Sequence, residues 1–219
     1  VLFISRLLNV SLWSDSDINA TYMHKLLYEM NPQIRDALWS WVTLRNQSIE
    51  DTIIWIWHNA KRIPQGSLML AEILLTWCTA TSGMQIRDTA TKALSCCLIE
   101  DPASATRLID AFFGCSDDYV IERLIAAIYG AATNSEICES WIASAYAIYE
   151  FTYGGNETYP NIMIRNYTDC LISYLVAYKA VNKNAFPNVL RAGNSTWYQK
   201  QITNLDIDRE LFLTEKRYG

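Results

Sequence analysis

Gln85-Ile86-Arg87-Asp88-Thr89-Ala90 is the stretch that decides the fold, because the chain repeats its pattern. Gln33-Ile34-Arg35-Asp36-Ala37-Leu38, Val120-Ile121-Glu122-Arg123-Leu124 and Met163-Ile164-Arg165-Asn166-Tyr167 follow the same plan. Each places an arginine in the first turn of a helix, an apolar residue one or two positions before it, and small or apolar residues at the helical spacings that follow. The arginines recur at unequal intervals close to the roughly 40-residue period of HEAT-type helix pairs. A helix pair cannot bury its own apolar face, so the second helix of each pair stacks on its neighbours. The reading is an all-α chain, an irregular α-solenoid of stacked helix pairs (HEAT/TPR-like). Its second helices begin near Arg35, Arg87, Arg123 and Arg165. Arg35, Asp36, Arg87, Asp88, Glu122, Arg123 and Arg165 form a structural ladder, in which adjacent repeats hydrogen-bond at their turns while staying partly wet.

Helical periodicity continues outward from these segments, and strand alternation is nearly absent. A helix is expected over 16–29, with Tyr22, Leu26, Leu27 and Met30 on one face. Asn31-Pro32 reads as an N-cap followed by proline at the first helical position, where no amide hydrogen is wasted. The helix it opens carries Ile34, Leu38, Trp41 and Val42 on one face. Asp101-Pro102 repeats the device ahead of Ala105, Leu108, Ile109, Phe112 and Phe113, and Ser67 is expected to cap a helix over 68–79. Glycines fall at or near the ends of periodic segments, as helix stops. From Asn182 onward Pro187, Gly193, Asn194 and Asn204 break the pattern. The expected division is a helical stack over 1–181 and a mostly irregular segment over 182–219 that packs on the stack or on a neighbouring domain.

The 219 residues are 51% hydrophobic and 19% charged, as in a layered helical protein whose inner helices are buried on both faces. Val1 is no initiator methionine, and Leu2, Phe3, Ile4, Leu7 and Leu8 open with an apolar stripe, so the chain reads as a piece of a larger protein. A net charge of −5 argues against nucleic acid as a partner. The longest apolar stretch, 68–80, is short and holds Glu72, so no membrane span is read. Six cysteines sit mostly in apolar helical runs without a CxxC pair, which reads as free thiols in a reducing, cytoplasmic setting. Sequons begin at Asn9, Asn19, Asn46, Asn156, Asn166 and Asn194, several in predicted helix, where chance explains them.

The search for chemistry returns no catalytic residue, metal site or cofactor site. His24 and His58 belong to different helices and lack a second ligand at helical spacing, and a lone helical histidine reads as a surface or capped residue. No phosphate loop or nucleophile elbow is present. Asp117-Asp118 precede a helix and suit its N-terminal dipole. Trp39 and Trp41 cannot share a helical face, and neither can Trp55 and Trp57. One of each pair is therefore core, and the other faces an upstream domain or a protein partner. Trp55, Trp57, Trp197 and Tyr198 are the candidate partner-binding residues.

The run Ile86-Arg87-Asp88-Thr89-Ala90-Thr91-Lys92-Ala93-Leu94, then Asp117-Asp118-Tyr119-Val120-Ile121-Glu122-Arg123-Leu124 and Ala127-Ile128-Tyr129-Gly130, resembles a known pattern. It is similar to the "R-D-x-A-T-K-A-L … D-P-Y-V-x-E-R-L … A-Y-G" run of the C-terminal helical region of bacterial antiphage STAND NTPases, the AVAST group. Ile164-Arg165-Asn166-Tyr167 resembles that family's "L-R-D-Y" element, and Leu8-Asn9-Val10-Ser11-Leu12-Trp13 its "SLxWR" element without the arginine. Asp118 stands where the family tends to have proline, and Asn166 where it tends to have aspartate. The resemblance touches about half the chain. It implies a sensor region behind an effector and an ATP-binding switch. Such a region would bind a phage protein such as the large terminase subunit or the portal, and binding would promote oligomerisation of the parent. The alternative is a structural helical-repeat scaffold, linker or regulatory subunit.

Overall fold

Asparagine and aspartate side chains set half of the helix starts. In the computed structural model, which describes residues 2–155, 158–189, 203–205 and 207–209, the α-helices of the packed body are α1 (Leu2–Val10), α2 (Ala20–Glu29), α3 (Pro32–Arg45), α4 (Gln47–Asn59), α5 (Gln65–Cys78), α6 (Met84–Glu100), α7 (Ser104–Phe112), α8 (Asp118–Thr133), α9 (Glu139–Tyr153) and α10 (Ile162–Ala177). Single 3-10 turns occupy Ala60–Arg62 and Lys183–Ala185, and no strand occurs among the described residues. The fold is all-helical. Asn19, Asn31, Asn46, Asp117 and Asn161 each accept backbone N–H bonds that the first helical turn would otherwise leave unmade. Asn19, rather than Ser16, starts α2, so that helix is shorter than expected. Ser67 caps nothing: α5 begins behind Pro64, and Ser67 lies within it. Pro102 sits in a turn, and α7 starts two residues later at Ser104.

The helices pack in two rows. α4 lies on α6, α6 on α8 and α8 on α10, while α2 lies on α5, α5 touches α7 and α7 lies on α9. α5 against α6 and α9 against α10 join the rows, and one continuous apolar core runs between them. Small residues let α6 and α8 approach closely. The Ser95 hydroxyl donates across to the Ala127 carbonyl at 3.0 Å, and a Cβ at Gly130 would come within 3.1 Å of Ser95 Oγ.

α3 stands outside both rows, so the register expected from Arg35 does not hold. The fourth helix of the row is α4. α3 instead lies across two helix connections. Trp39 Nε1–H donates to the Trp77 carbonyl at 2.6 Å, the Thr43 and Thr81 hydroxyls pair at 2.6 Å, and the Ser82 amide donates to Ser40 Oγ at 3.1 Å. Further along, Tyr28 closes over Gly114, leaving no room for a Cβ there.

The buried faces of α2 and α3 also differ from expectation. In α2 they are Ala20, Met23 and Leu27, with Tyr22 exposed. In α3 they are Arg35, Trp39, Val42 and Thr43, while Ile34 is 64% exposed and Trp41 42%. Beyond α10, Phe186 is buried against Tyr146 and Tyr149 of α9, at ring distances of 4.8 and 5.1 Å. The segment after 181 therefore packs on the helices as far as Val189. Trp197 and Tyr198 lie outside the described residues.

Candidate functional site

The four arginines of the repeated pattern do three different things. Arg87 and Arg165 fold back onto their own turns. Arg87 Nη1 approaches the Thr81 and Ser82 carbonyls at 3.4 and 3.5 Å, and Arg165 Nη1 reaches those of Tyr159 and Pro160 at 2.9 and 3.1 Å. Arg123 joins rather than caps. Its Nη1 meets Asp88 of α6 at 3.2 Å, and it donates to the Tyr119 hydroxyl at 3.0 and 2.6 Å. The Arg87 and Arg123 guanidinium groups each lie 5.1 Å from the Tyr119 ring centre, a cation–π arrangement that fixes both. Glu122 is half-buried, which raises its carboxyl pKa while Arg123 acts the other way; it takes no part in a salt bridge among the described residues.

Arg35 is the exception. It is 1% exposed and crosses from α3 to the start of α8, where Nη2 meets Asp117 at 3.1 Å and the Ser116 carbonyl at 3.4 Å. Its own neighbour Asp36 is half-exposed and sits 3.4 Å from Nε. Asp117 also caps α8 through the Tyr119 and Val120 amides, so one carboxylate serves a helix end and a buried cation. Burial pushes its pKa up, with the capping bonds and Arg35 only partly offsetting that. The Arg35 guanidinium lies 5.3 Å from the Trp77 ring centre. Trp77 Nε1–H donates to His24 Nδ1 at 3.1 Å, and His24 packs on Phe112 at 4.6 Å. His24 is thus part of an aromatic cluster and not the surface residue expected. Burial lowers its pKa, and as an acceptor at Nδ1 the ring is neutral.

The partners Asp117, Tyr119 and Tyr159 escape a reading by repeats. Tyr159 donates to Asp118 at 2.6 Å, and Tyr153 to Asp169 at 2.7 Å. Asp117-Asp118 is visible as a capping pair, but nothing local shows that Asp117 also holds Arg35 of α3, or Asp118 the Tyr159 hydroxyl from the α9–α10 connection.

Glu72, in the middle of α5, is fully buried. Its pKa is pushed up to about 8, first by desolvation and then by Asp101, with Ser104 and Arg107 acting the other way. Ser104 Oγ lies 2.8 Å from both Glu72 Oε1 and the Asp101 carbonyl oxygen. A single hydroxyl proton serves only one of them at a time. Glu72 Oε2 has no hydrogen-bond partner.

The tryptophan pairs divide. Trp39 is fully buried and Trp41 is exposed; Trp55 is 53% exposed and Trp57 half-buried, with Lys92 Nζ 5.8 Å from its ring centre. His58 is exposed and stacks on Trp57. Among the described residues no group of His, Cys, Asp or Glu could hold a metal ion, and no helix is long and apolar enough to cross a membrane. Burial pushes the Cys78 and Cys115 thiols to about 12, far from the thiolate character of a nucleophile.

Compared with known proteins, the chain matches no family model, no curated protein and no solved structure.

Proposed function

We propose that this chain is part of the sensor region of a STAND-type antiphage defence NTPase. In this reading it is an irregular α-solenoid with HEAT/TPR-like helix pairs that binds a phage protein, such as terminase or portal, without catalysis of its own. The two-row packing of α4–α6–α8–α10 and α2–α5–α7–α9 supports the solenoid, since stacked pairs of this kind present extended surfaces to other proteins. The outward placing of Trp41 and Trp55 supports protein recognition, because exposed tryptophan is enriched at binding hot spots. The sequence resemblance supplies the target class. Six free cysteines support a reducing, cytoplasmic setting, and the parent would act as a homo-oligomer.

A scaffold or linker role is the second reading. It is favoured by the arginine ladder, whose bonded members are engaged inside the molecule. Co-expression of the parent protein with phage terminase or portal separates the two. Binding followed by a defence response to phage challenge supports the sensor. A parent that binds neither protein, or that contains no NTPase domain, overturns it.

A further inference from the structure

Two clefts meet where α1 packs beside α3 and α4. The larger, about 570 Å³, is lined by Arg6 from α1, by Trp41 and Arg45 from α3, and by Asn46 at the start of α4. No acidic residue lines it, although the chain as a whole carries −5. Neither Arg6 nor Arg45 has a carboxylate partner among the described residues. The Arg45 guanidinium lies 4.7 Å from the Trp41 ring centre, which holds the group in place and leaves its N–H donors unspent. The smaller cleft, about 320 Å³, has Leu8, Leu12, Trp13, Ile49 and Leu74 in its wall beside the polar Ser11 and Thr52. Asn9 and Ser48 line both clefts. A single extended segment can therefore cross this shared rim with one side chain in each.

We infer that this double cleft is a binding site for a short peptide segment of a protein partner, one that carries an acidic side chain for Arg6 and Arg45 and a large apolar side chain for the Leu12/Trp13/Leu74 cleft. A guanidinium group recognises a carboxylate with charge-assisted, geometrically matched bonds, and this cleft offers two such groups. Two isolated cations in an acidic protein suit one carboxylate far better than the repeated phosphates of a nucleic acid, which need an extended basic stripe. Asn9 and Ser48 at the rim offer donors and acceptors to the peptide backbone between the two side chains. The site deepens the protein-binding reading above and locates it on α1, α3 and α4.

The test selects a randomised short-peptide library on the folded protein. Selected peptides should combine Asp or Glu with a nearby Leu, Phe or Trp. Fluorescence anisotropy then measures the strongest peptide against variants whose circular dichroism matches the parent. Arg6→Glu and Arg45→Glu should each weaken binding by roughly tenfold or more, and Leu12→Asp similarly. Arg62→Glu, at the distant 3-10 turn, should leave it unchanged, and raised salt should weaken it. Where Arg45→Glu lowers folding, Arg45→Gln serves in its place. The site is overturned if selection yields no acidic preference, if the charge variants bind the peptide equally well, or if a short poly-dT oligonucleotide binds the cleft more tightly than the peptide. A charge-reversed parent that still responds to phage protein sinks the cleft and spares the sensor. Peptide binding without any phage response does the reverse.

Discussion

The α6–α8 contact and the α3 crossing use the same residue type for opposite ends. Between α6 and α8, Arg123 and Asp88 meet at the rim, with side chains 24% and 47% exposed. At the crossing, Arg35 is sealed in with Asp117, at 2% and 12%. A wet pair adds little to stability, because water competes for each charge and the side chains lose freedom. A sealed pair is different: losing one partner strands the other charge in the core. An identical Arg-Asp pattern thus marks a seam that tolerates change in one place and a keystone in the other.

Arg35→Ala should break this contrast most severely. It leaves Asp117 without its cation, removes the contact over Trp77, and should cost about 3–5 kcal/mol in chemical denaturation. If it costs no more than Arg123→Ala, the crossing is not held as described. Within the rows the corresponding weak point is Glu72. Its folded carboxyl titrates near 8 against 4.5 for the free group, so the stability it allows is fully present below about 4.5 and lost as pH rises towards 8. The loss should be on the order of 5 kcal/mol. Glu72→Gln should abolish that slope in urea melts at several pH values. His24 acts in the opposite sense, since its lowered pKa removes stability as pH falls through 6.5, and Glu72→Gln should leave that acid limb intact. Trp39→Phe should cost about 2 kcal/mol by removing the bond to the Trp77 carbonyl and part of a buried ring. Smallest of all, Arg123→Ala should cost under about 1 kcal/mol.

The same contrast explains what the amino-acid sequence makes legible. The all-helical fold follows from local spacing, and the Asn31-Pro32 start of α3 from cap chemistry, because both are decided within one turn. The face of α3 is not. Periodicity turns Ile34 and Trp41 inward and sends arginine to solvent, yet Arg35 is buried because a carboxylate and an indole arrive from more than forty residues away. The α2 face is displaced for a related reason: His24 joins an aromatic cluster completed by Trp77 and Phe112. The division of Trp39 from Trp41 is readable from helical spacing alone. Which of the two is buried depends on the Trp77 carbonyl. Double clefts such as the one bounded by Asn9 and Ser48 have no local signature at all, since their walls come from four helices and the α1–α2 connection.

The crossing of α3 also changes how the molecule opens. In a stack where each helix pair touches only its neighbours, the ends fray independently and unfolding spreads like an unzipping row. By tying its own residues to the connections after α5 and after α7, α3 links helices that would otherwise release one at a time. Amides of α5, α6 and the first turns of α8 should therefore exchange with solvent as one cooperative block, while α9 and α10 open at lower free energy. Helices tied by a crossing strap behave as a spring clamped where the strap lies, free to flex only beyond it.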